Sequence, residues 1–211
     1  MSSSQANPSR PTIFNVPNYL TAARLALAIV VFALIGWAQT RADTTSSDDA
    51  VRWIYGLATI VFIVAAATDW VDGYWARKYG QVTQVGRIFD PFVDKVIVCG
   101  TFIFLVASPG SEVTGWMTVL IVSRELLVTA LRGQVEEKGM DFSAKWAGKI
   151  KMVLQCVAAA TSLGALSLFP AHGAPSELRV ALVVLLWASV AITVYSGVGY
   201  VVAAAKMLRR S

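Results

Sequence analysis

The chain has 211 residues, 56% of them hydrophobic, with a formal net charge of +5 and a mean hydropathy of +0.60. That is too apolar for an ordinary soluble domain, and the length suits a single domain. The basic residues sit at the ends of apolar runs, which points to a membrane surface and away from nucleic acid.

Residues 1–16 are polar, rich in Ser and Pro, and lack the apolar centre of a secretory signal peptide. They are expected to form a polar cytoplasmic N-terminal arm ahead of one domain over 17–211. Six apolar runs follow, near 17–39, 51–71, 86–107, 115–135, 146–170 and 178–205. Each reaches roughly 20 residues, the length of a membrane-crossing helix. The expected fold is an all-α integral membrane protein with six transmembrane helices. No internal repeat of period 20–50 is visible.

Charge orients these spans. Arg41, Arg52 and Arg179 flank loops 1–2, 3–4 and 5–6, together with Asp43, Asp48, Asp49, Glu112 and Glu177. The other Lys and Arg residues lie toward the termini and loops 2–3 and 4–5. The positive-inside rule then places both termini and those two loops in the cytoplasm, as in a multi-pass protein of the cell (inner) membrane. A basic face also attracts anionic lipid and phosphate-bearing substrates.

The strongest signal is the stretch from Asp69 to Asp94, DWVDGYWARKYGQVTQVGRIFDPFVD. Ionised carboxylates near lipid cost about 2.5–3.5 kcal/mol each at a helix centre, so something must compensate them. Asp69 and Asp72 are three residues apart at the end of the second run, a spacing that shares one helix face. Asp90 and Asp94 are four apart at the start of the third, with Gly86 four before Asp90. Gly73, Ala76 and Gly86 remove bulk where helices or a ligand come close. Pro91 breaks a helical hydrogen bond beside Asp90.

An all-carboxylate set selects a hard cation: Mg2+ or Mn2+ best, with Ca2+ a looser fit. Four carboxylates suffice for two ions roughly 4 Å apart, an arrangement suited to displacement at phosphorus. Arg77 adds a bidentate phosphate donor. The bland alternative is a structural ion-pair network of the aspartates with Arg77, Lys78, Arg87 and Lys95.

The pattern Asp69-x2-Asp72-Gly73-x2-Ala76-Arg77-x8-Gly86-x3-Asp90-x3-Asp94 resembles, without departure, the signature of the CDP-alcohol phosphatidyltransferase family. It fixes eight positions over 26 residues. Asn18 to Arg24 look like that family's entry to the first helix. Ser123 to Leu126, Ala130 to Arg132 and Gly148 to Lys151 look like the branch whose acceptor is sn-glycerol 3-phosphate. The resemblance implies transfer of a phosphatidyl group from CDP-diacylglycerol to that acceptor, with CMP released. It implies six membrane helices, a homodimer and an active site open to the cytoplasmic leaflet. It also implies that Asp69, Asp72 and Asp90 hold metal, with Asp94 near the ions as base. Asp69, Gly73, Ala76 and Arg77 would line the CDP pocket.

The acceptor phosphate needs its own cations. Arg124 lies well inside the fourth run, where an arginine is functional by default. Arg132 is eight residues on, roughly 12 Å along the same side. Lys145 and Lys149 are one turn apart at the start of the fifth helix, followed by Lys151. For Lys145 and Lys151, snorkelling to the interface competes evenly with ligand binding. Glu125 is expected to be a poor partner for Arg124, because sequence neighbours on a helix do not face each other. The expected acceptor-phosphate set is therefore Arg124, Arg132, Lys145 and Lys149, with Arg124 and Lys149 favoured.

The remaining features have bland readings. Most of the seven tryptophans fall near segment ends, as in an interfacial belt. Trp187 is more central. Cys99 and Cys156 are expected to be small apolar-segment residues, with no disulfide or metal spacing. His172 is read as a solvated loop residue. Gly164, Gly197 and Gly199 are read as helix-packing sites. Three other functions remain open. The same chemistry could serve inositol phosphate, or a phosphatidylglycerol acceptor to give cardiolipin. A cation or proton transporter would place its carboxylates near the bilayer midplane. A structural scaffold would need no metal.

Overall fold

A computed structural model describes residues 16–44, 48–79, 84–137, 146–169 and 174–208; over 69–79, 84–91 and at 94 it describes the helical backbone. Six helices follow in order: α1 (Val16–Thr44), α2 (Asp48–Tyr79), α3 (Gln84–Val106), α4 (Gly115–Glu137), α5 (Trp146–Leu168) and α6 (Ser176–Leu208). No strand occurs among the described residues, so the protein is all-α as expected. The proposed arm 1–16 and His172 lie outside the described residues, apart from Val16 at the start of α1.

Helices α1, α2, α5 and α6 each contain a segment long and apolar enough to cross a membrane: Thr21–Ala42, Asp49–Thr68, Gly148–Leu168 and Ser176–Met207. Among the described residues α3 offers a shorter apolar segment, Lys95–Val106, and α4 is interrupted by Arg124, Glu125 and Arg132. The α2 helix runs eight residues past the expected end at 71. The apolar run stops there, but the helical hydrogen-bond ladder needs no lipid and meets no proline. Asp69, Asp72, Gly73, Ala76 and Arg77 are therefore helical. The sequence locates α6 well. Pro175 immediately precedes it, Glu177 sits in its first turn and Lys206 in its last, matching the helix dipole.

Helix α1 packs on α2 and α3, α6 packs on α4 and α5, and α2–α5, α3–α4 and α3–α5 contacts join the two groups. Ile35, Phe62, Phe102, Ile121, Leu163 and Leu186, one from each helix, are fully buried in one core. A smaller cluster of Val128, Val135, Tyr200 and Ala204 joins α4 to α6. Large apolar side chains such as Ile60, Val153, Val184 and Val198 stay exposed, as lipid-facing residues of a membrane protein would. Trp37, Trp53, Trp116 and Trp146 are exposed near helix ends, which fits the interfacial belt.

The end of the bundle bearing the α3–α4 turn is closed by hydrogen bonds. Gln39 Nε2 donates to Phe104 O at 2.8 Å and to Ser108 Oγ at 2.9 Å. Tyr55 donates to Ser108 Oγ at 3.2 Å, and Ser162 donates to Ser111 O at 2.8 Å. The turn uses left-handed backbone at Gly110 (φ 84°) and Glu112 (φ 59°). For a non-glycine this costs about 1–3 kcal/mol. Glu112 is held there by Arg179 Nε at 2.7 Å from its Oε1.

Close approach of α1 and α3 depends on Gly100. A Cβ added there would lie 2.2 Å from Phe32 Cζ, and the Phe32 ring is itself stacked on Phe104 with centroids 5.3 Å apart. Gly100→Ala is expected to destabilise the fold by about 1–3 kcal/mol, read as a lowered Tm in detergent. Adding Phe32→Ala in the same chain recovers part of the loss; equal melting of Gly100→Ala and the native chain would contradict this packing.

Candidate active site

The aspartate stretch occupies the end of the bundle opposite the α3–α4 turn. Asp69 and Asp72 lie in the last three turns of α2, and Asp90 and Asp94 in the first half of α3. These two helices touch and are separated in the chain by only four residues, 80–83. The backbone thus carries all four carboxylate positions to one end of an adjacent helix pair. Among the residues with described side chains no group of three or more His, Cys, Asp or Glu is placed to hold a metal; the side chains of Asp69, Asp72, Asp90 and Asp94 lie outside that set. Gly73, Ala76 and Arg77 are likewise placed by backbone only.

At the same end, α3, α4 and α5 line an open cavity of about 180 Å³. Lys95 and Cys99 line it from α3, Glu125 and Arg132 from α4, Lys151 and Gln155 from α5. Lys95 follows Asp94 directly in the chain, so the cavity borders the α3 half of the aspartate stretch. Three cations and one carboxylate give its wall a net positive charge. Among the described residues Arg132 Nε has no hydrogen-bond partner although it is buried. A buried guanidinium nitrogen left unpaired is costly, and an anionic ligand would satisfy it.

Glu125 and Lys151 of the cavity wall form an ion network with Arg124, which stands behind it. Glu125 accepts from Lys151 Nζ across the α4–α5 boundary and from Arg124 Nη1 at 3.2 Å. The side chains of Arg124, Glu125 and Lys151 are only 10%, 9% and 8% exposed, so all three are largely desolvated. Arg124 Nη2 donates to Ser196 Oγ on α6 at 2.9 Å. The guanidinium also lies over the Tyr200 ring, 5.3 Å from its centroid. Gly197 makes room for it: a Cβ there would stand 3.0 Å from Arg124 Cγ.

Several expectations need correction. Glu125 is a partner of Arg124 after all; the long guanidinium arm swings round the helix to a carboxylate that Lys151 already holds in the interior. Lys151 does not snorkel but turns inward, drawn by Glu125. Arg132 lines the cavity, whereas Arg124 stands behind it and Lys149 is exposed. Lys145 lies outside the described residues. Gly197 is a packing site as expected, but a Cβ at Gly164 or Gly199 would meet nothing within 4 Å. Both cysteines are free thiols. The sequence reading passed over Lys95 as a cavity residue, Gln155, and the burial of Arg24, which is only 4% exposed on the site end of α1. The available signal was the same in each case, a polar side chain inside an apolar helix.

Fold and site together define a helical membrane protein whose buried charges converge on a cation-rich cavity beside a carboxylate-bearing helix pair. A model of the CDP-alcohol phosphatidyltransferase family matches residues 14–195. The CDP-diacylglycerol–glycerol-3-phosphate 3-phosphatidyltransferase of Bacillus subtilis (strain 168) is 36% identical over 194 residues, covering 89% of this chain and 94% of its own. A probable phosphatidylglycerophosphate synthase of Mycobacterium tuberculosis (strain ATCC 25618 / H37Rv) is 36% identical over 192 residues, 91% of this chain and 82% of its own. The CDP-diacylglycerol–glycerol-3-phosphate 3-phosphatidyltransferase of Escherichia coli (strain K12) is 32% identical over 179 residues, 82% and 90% of the two chains. This chain belongs to the CDP-alcohol phosphatidyltransferase family.

Breaking the ion network from one side leaves buried charge unpaired. Glu125→Leu is expected to cost about 3–5 kcal/mol, and Glu125→Leu with Lys151→Leu much less, because an apolar pair can replace a buried ion pair. Thermal unfolding of the two variants in detergent checks this. A double variant no more stable than the single one would mean that Lys151 does not balance Glu125.

Proposed function

We propose that this chain transfers the phosphatidyl group of CDP-diacylglycerol to sn-glycerol 3-phosphate, giving phosphatidylglycerophosphate and CMP in phospholipid biosynthesis. The observation that carries the reading is the cation-rich cavity bordering the α3 aspartates, with an unpaired Arg132 nitrogen in its wall. A phosphate-bearing acceptor fits such a wall, and a transported cation does not. The names of the three relatives agree with this assignment.

Asp69, Asp72, Asp90 and Asp94 offer hard oxygen donors suited to Mg2+ or Mn2+, and with Gly73, Ala76 and Arg77 they form the donor-substrate side. Two ions bound there would neutralise the pyrophosphate and the charge left on CMP. Arg77 pairs with a phosphate oxygen, while Gly73 and Ala76 leave the α2 backbone open to the nucleotide. On the acceptor side Arg132, Lys151 and Lys95 hold the phosphate dianion; Arg124 fixes Glu125 from behind, and Lys145 and Lys149 attract the anion from outside.

Asp94 accepts the proton of the acceptor's primary hydroxyl. That oxygen forms a bond to the phosphorus bearing diacylglycerol, and the bond from this phosphorus to the CMP oxygen breaks. The lipid tails remain in the bilayer. We place the protein in the cell (inner) membrane with six spans and with both termini and the active site cytoplasmic, since the basic residues gather at the site end of the bundle; the homodimer rests on the family resemblance alone.

Purified protein with CDP-diacylglycerol and Mg2+ is expected to release CMP with glycerol 3-phosphate and not with inositol phosphate. Release with inositol phosphate alone would overturn the acceptor, and release with neither the transferase reading. Asp94→Asn is expected to bind CDP-diacylglycerol normally and to lose at least about a hundredfold in kcat; near-native turnover would remove Asp94 from the role of base. Arg132→Gln is expected to raise KM for glycerol 3-phosphate about tenfold or more, leaving KM for CDP-diacylglycerol unchanged. Equal shifts in both constants would place Arg132 outside the acceptor site.

A further inference from the structure

Gln155 is an uncharged hydrogen-bonding side chain in the wall of a cavity otherwise dominated by charge. It is 2% exposed and stands one helical turn beyond Lys151 on α5. Its orientation is fixed from α6. Gln155 Nε2 donates to Thr193 Oγ1 at 2.9 Å. The Thr193 hydroxyl gives its own proton to Ser189 O at 2.6 Å, so toward Gln155 it can only accept. The amide nitrogen is thereby committed to α6, and the amide oxygen is left for the cavity that Gln155 lines. Among the described residues no donor reaches that oxygen.

Lys95, Arg132 and Lys151 attract any small phosphate and do not distinguish one from another. A neutral acceptor oxygen adds something the cations lack. It gains nothing from a phosphate dianion, which has no proton to give, and it does bond a hydroxyl. Its presence in an anion-attracting cavity matches a ligand carrying both a phosphate and an alcohol. We propose that Gln155 is a specificity-determining residue whose Oε1 accepts a hydrogen bond from the secondary hydroxyl of the acceptor, so that the cavity selects a phosphorylated polyol over a simple hydroxyalkyl phosphate. This rests on reading the cavity as the acceptor site of the transferase.

The test compares glycerol 3-phosphate with 3-hydroxypropyl phosphate, which lacks only the secondary hydroxyl. Native protein is expected to favour the first in kcat/KM by about tenfold or more, the scale of one buried hydrogen bond left unmade. Gln155→Met keeps the shape and removes the acceptor oxygen; the preference collapses toward unity, while KM for CDP-diacylglycerol stays put. A merely structural role would lower kcat/KM for both acceptors together and keep their ratio. Thr193→Val releases the amide from α6 and is expected to reduce the ratio in part. It also decides the matter if Gln155→Met does not accumulate. A ratio kept in the variants overturns the proposal. Native protein that uses both acceptors equally overturns the role of Gln155 and leaves the transferase reading standing. Native protein that uses neither overturns both.

Discussion

A single carboxylate, Glu125, determines how the site end of the bundle is built. Buried charge in a low-dielectric interior is tolerated only when it is paired and hydrogen-bonded. Glu125 is paired twice, by Lys151 from α5 and by Arg124 from its own helix. Arg124 brings a second requirement, since its guanidinium has five donors to place. Ser196 takes one, the Tyr200 ring face lies beside it, and Gly197 leaves the space it occupies. The packing of α4 against α6 at this end, and its side-chain link to α5, thus serve the needs of one acid. Two cations around one anion leave a positive remainder, and Lys95 and Arg132 add to it. The cavity wall attracts anions as a consequence.

The helix order turns that local arrangement into a possible reaction site. Helix α3 is shared: it packs with α1 and α2 on one side and with α4 and α5 on the other. Its first half carries Asp90 and Asp94, followed at once by Lys95 and, a turn later, by Cys99 on the cavity wall. Carboxylates and cations are thereby held on successive positions of one rigid rod. The opposite end of the bundle is closed by uncharged hydrogen bonds through Gln39, Tyr55, Ser108, Ser111 and Ser162. These bonds, with the Arg179–Glu112 pair, tie the helices together at the end away from the cavity.

Much of this was legible in the sequence. Long, mostly apolar runs located all six helices, although only α1, α2, α5 and α6 hold a segment long and apolar enough to cross a membrane. The aspartate spacing was legible because it is written in one uninterrupted stretch. The acceptor side was less so, since its residues come from three helices whose rotations depend on packing. Lys149 and Lys151 are two residues apart and therefore point about 200° from one another. Nothing local says which turns inward; Glu125, 26 residues earlier in the chain, decides it. The Arg124–Glu125 contact escaped a rule about which helix positions face each other, because the long guanidinium arm reaches round the helix, and Gln155 carried no motif at all. Gly197 was read as a packing glycine without any means of knowing that an arginine was what it accommodates.

On the proposed function these features would divide the work of recognition between two parts of the molecule. In the proposed reaction the aspartate stretch would read a nucleotide pyrophosphate through hard charge and close backbone approach, requirements that any acceptor would share. The choice of acceptor therefore has to be made elsewhere, and the cavity walled by α3, α4 and α5 borders the stretch. Charge alone cannot make that choice, because Coulomb attraction is non-directional and weakly discriminating among small phosphates. Directional groups held rigidly can. Glu125 immobilises Lys151, and Thr193 immobilises Gln155, each from a neighbouring helix. Pre-set donors and acceptors need little reorganisation when a ligand enters. The same interhelical bonds that stabilise the bundle thus also fix the groups that would read the acceptor.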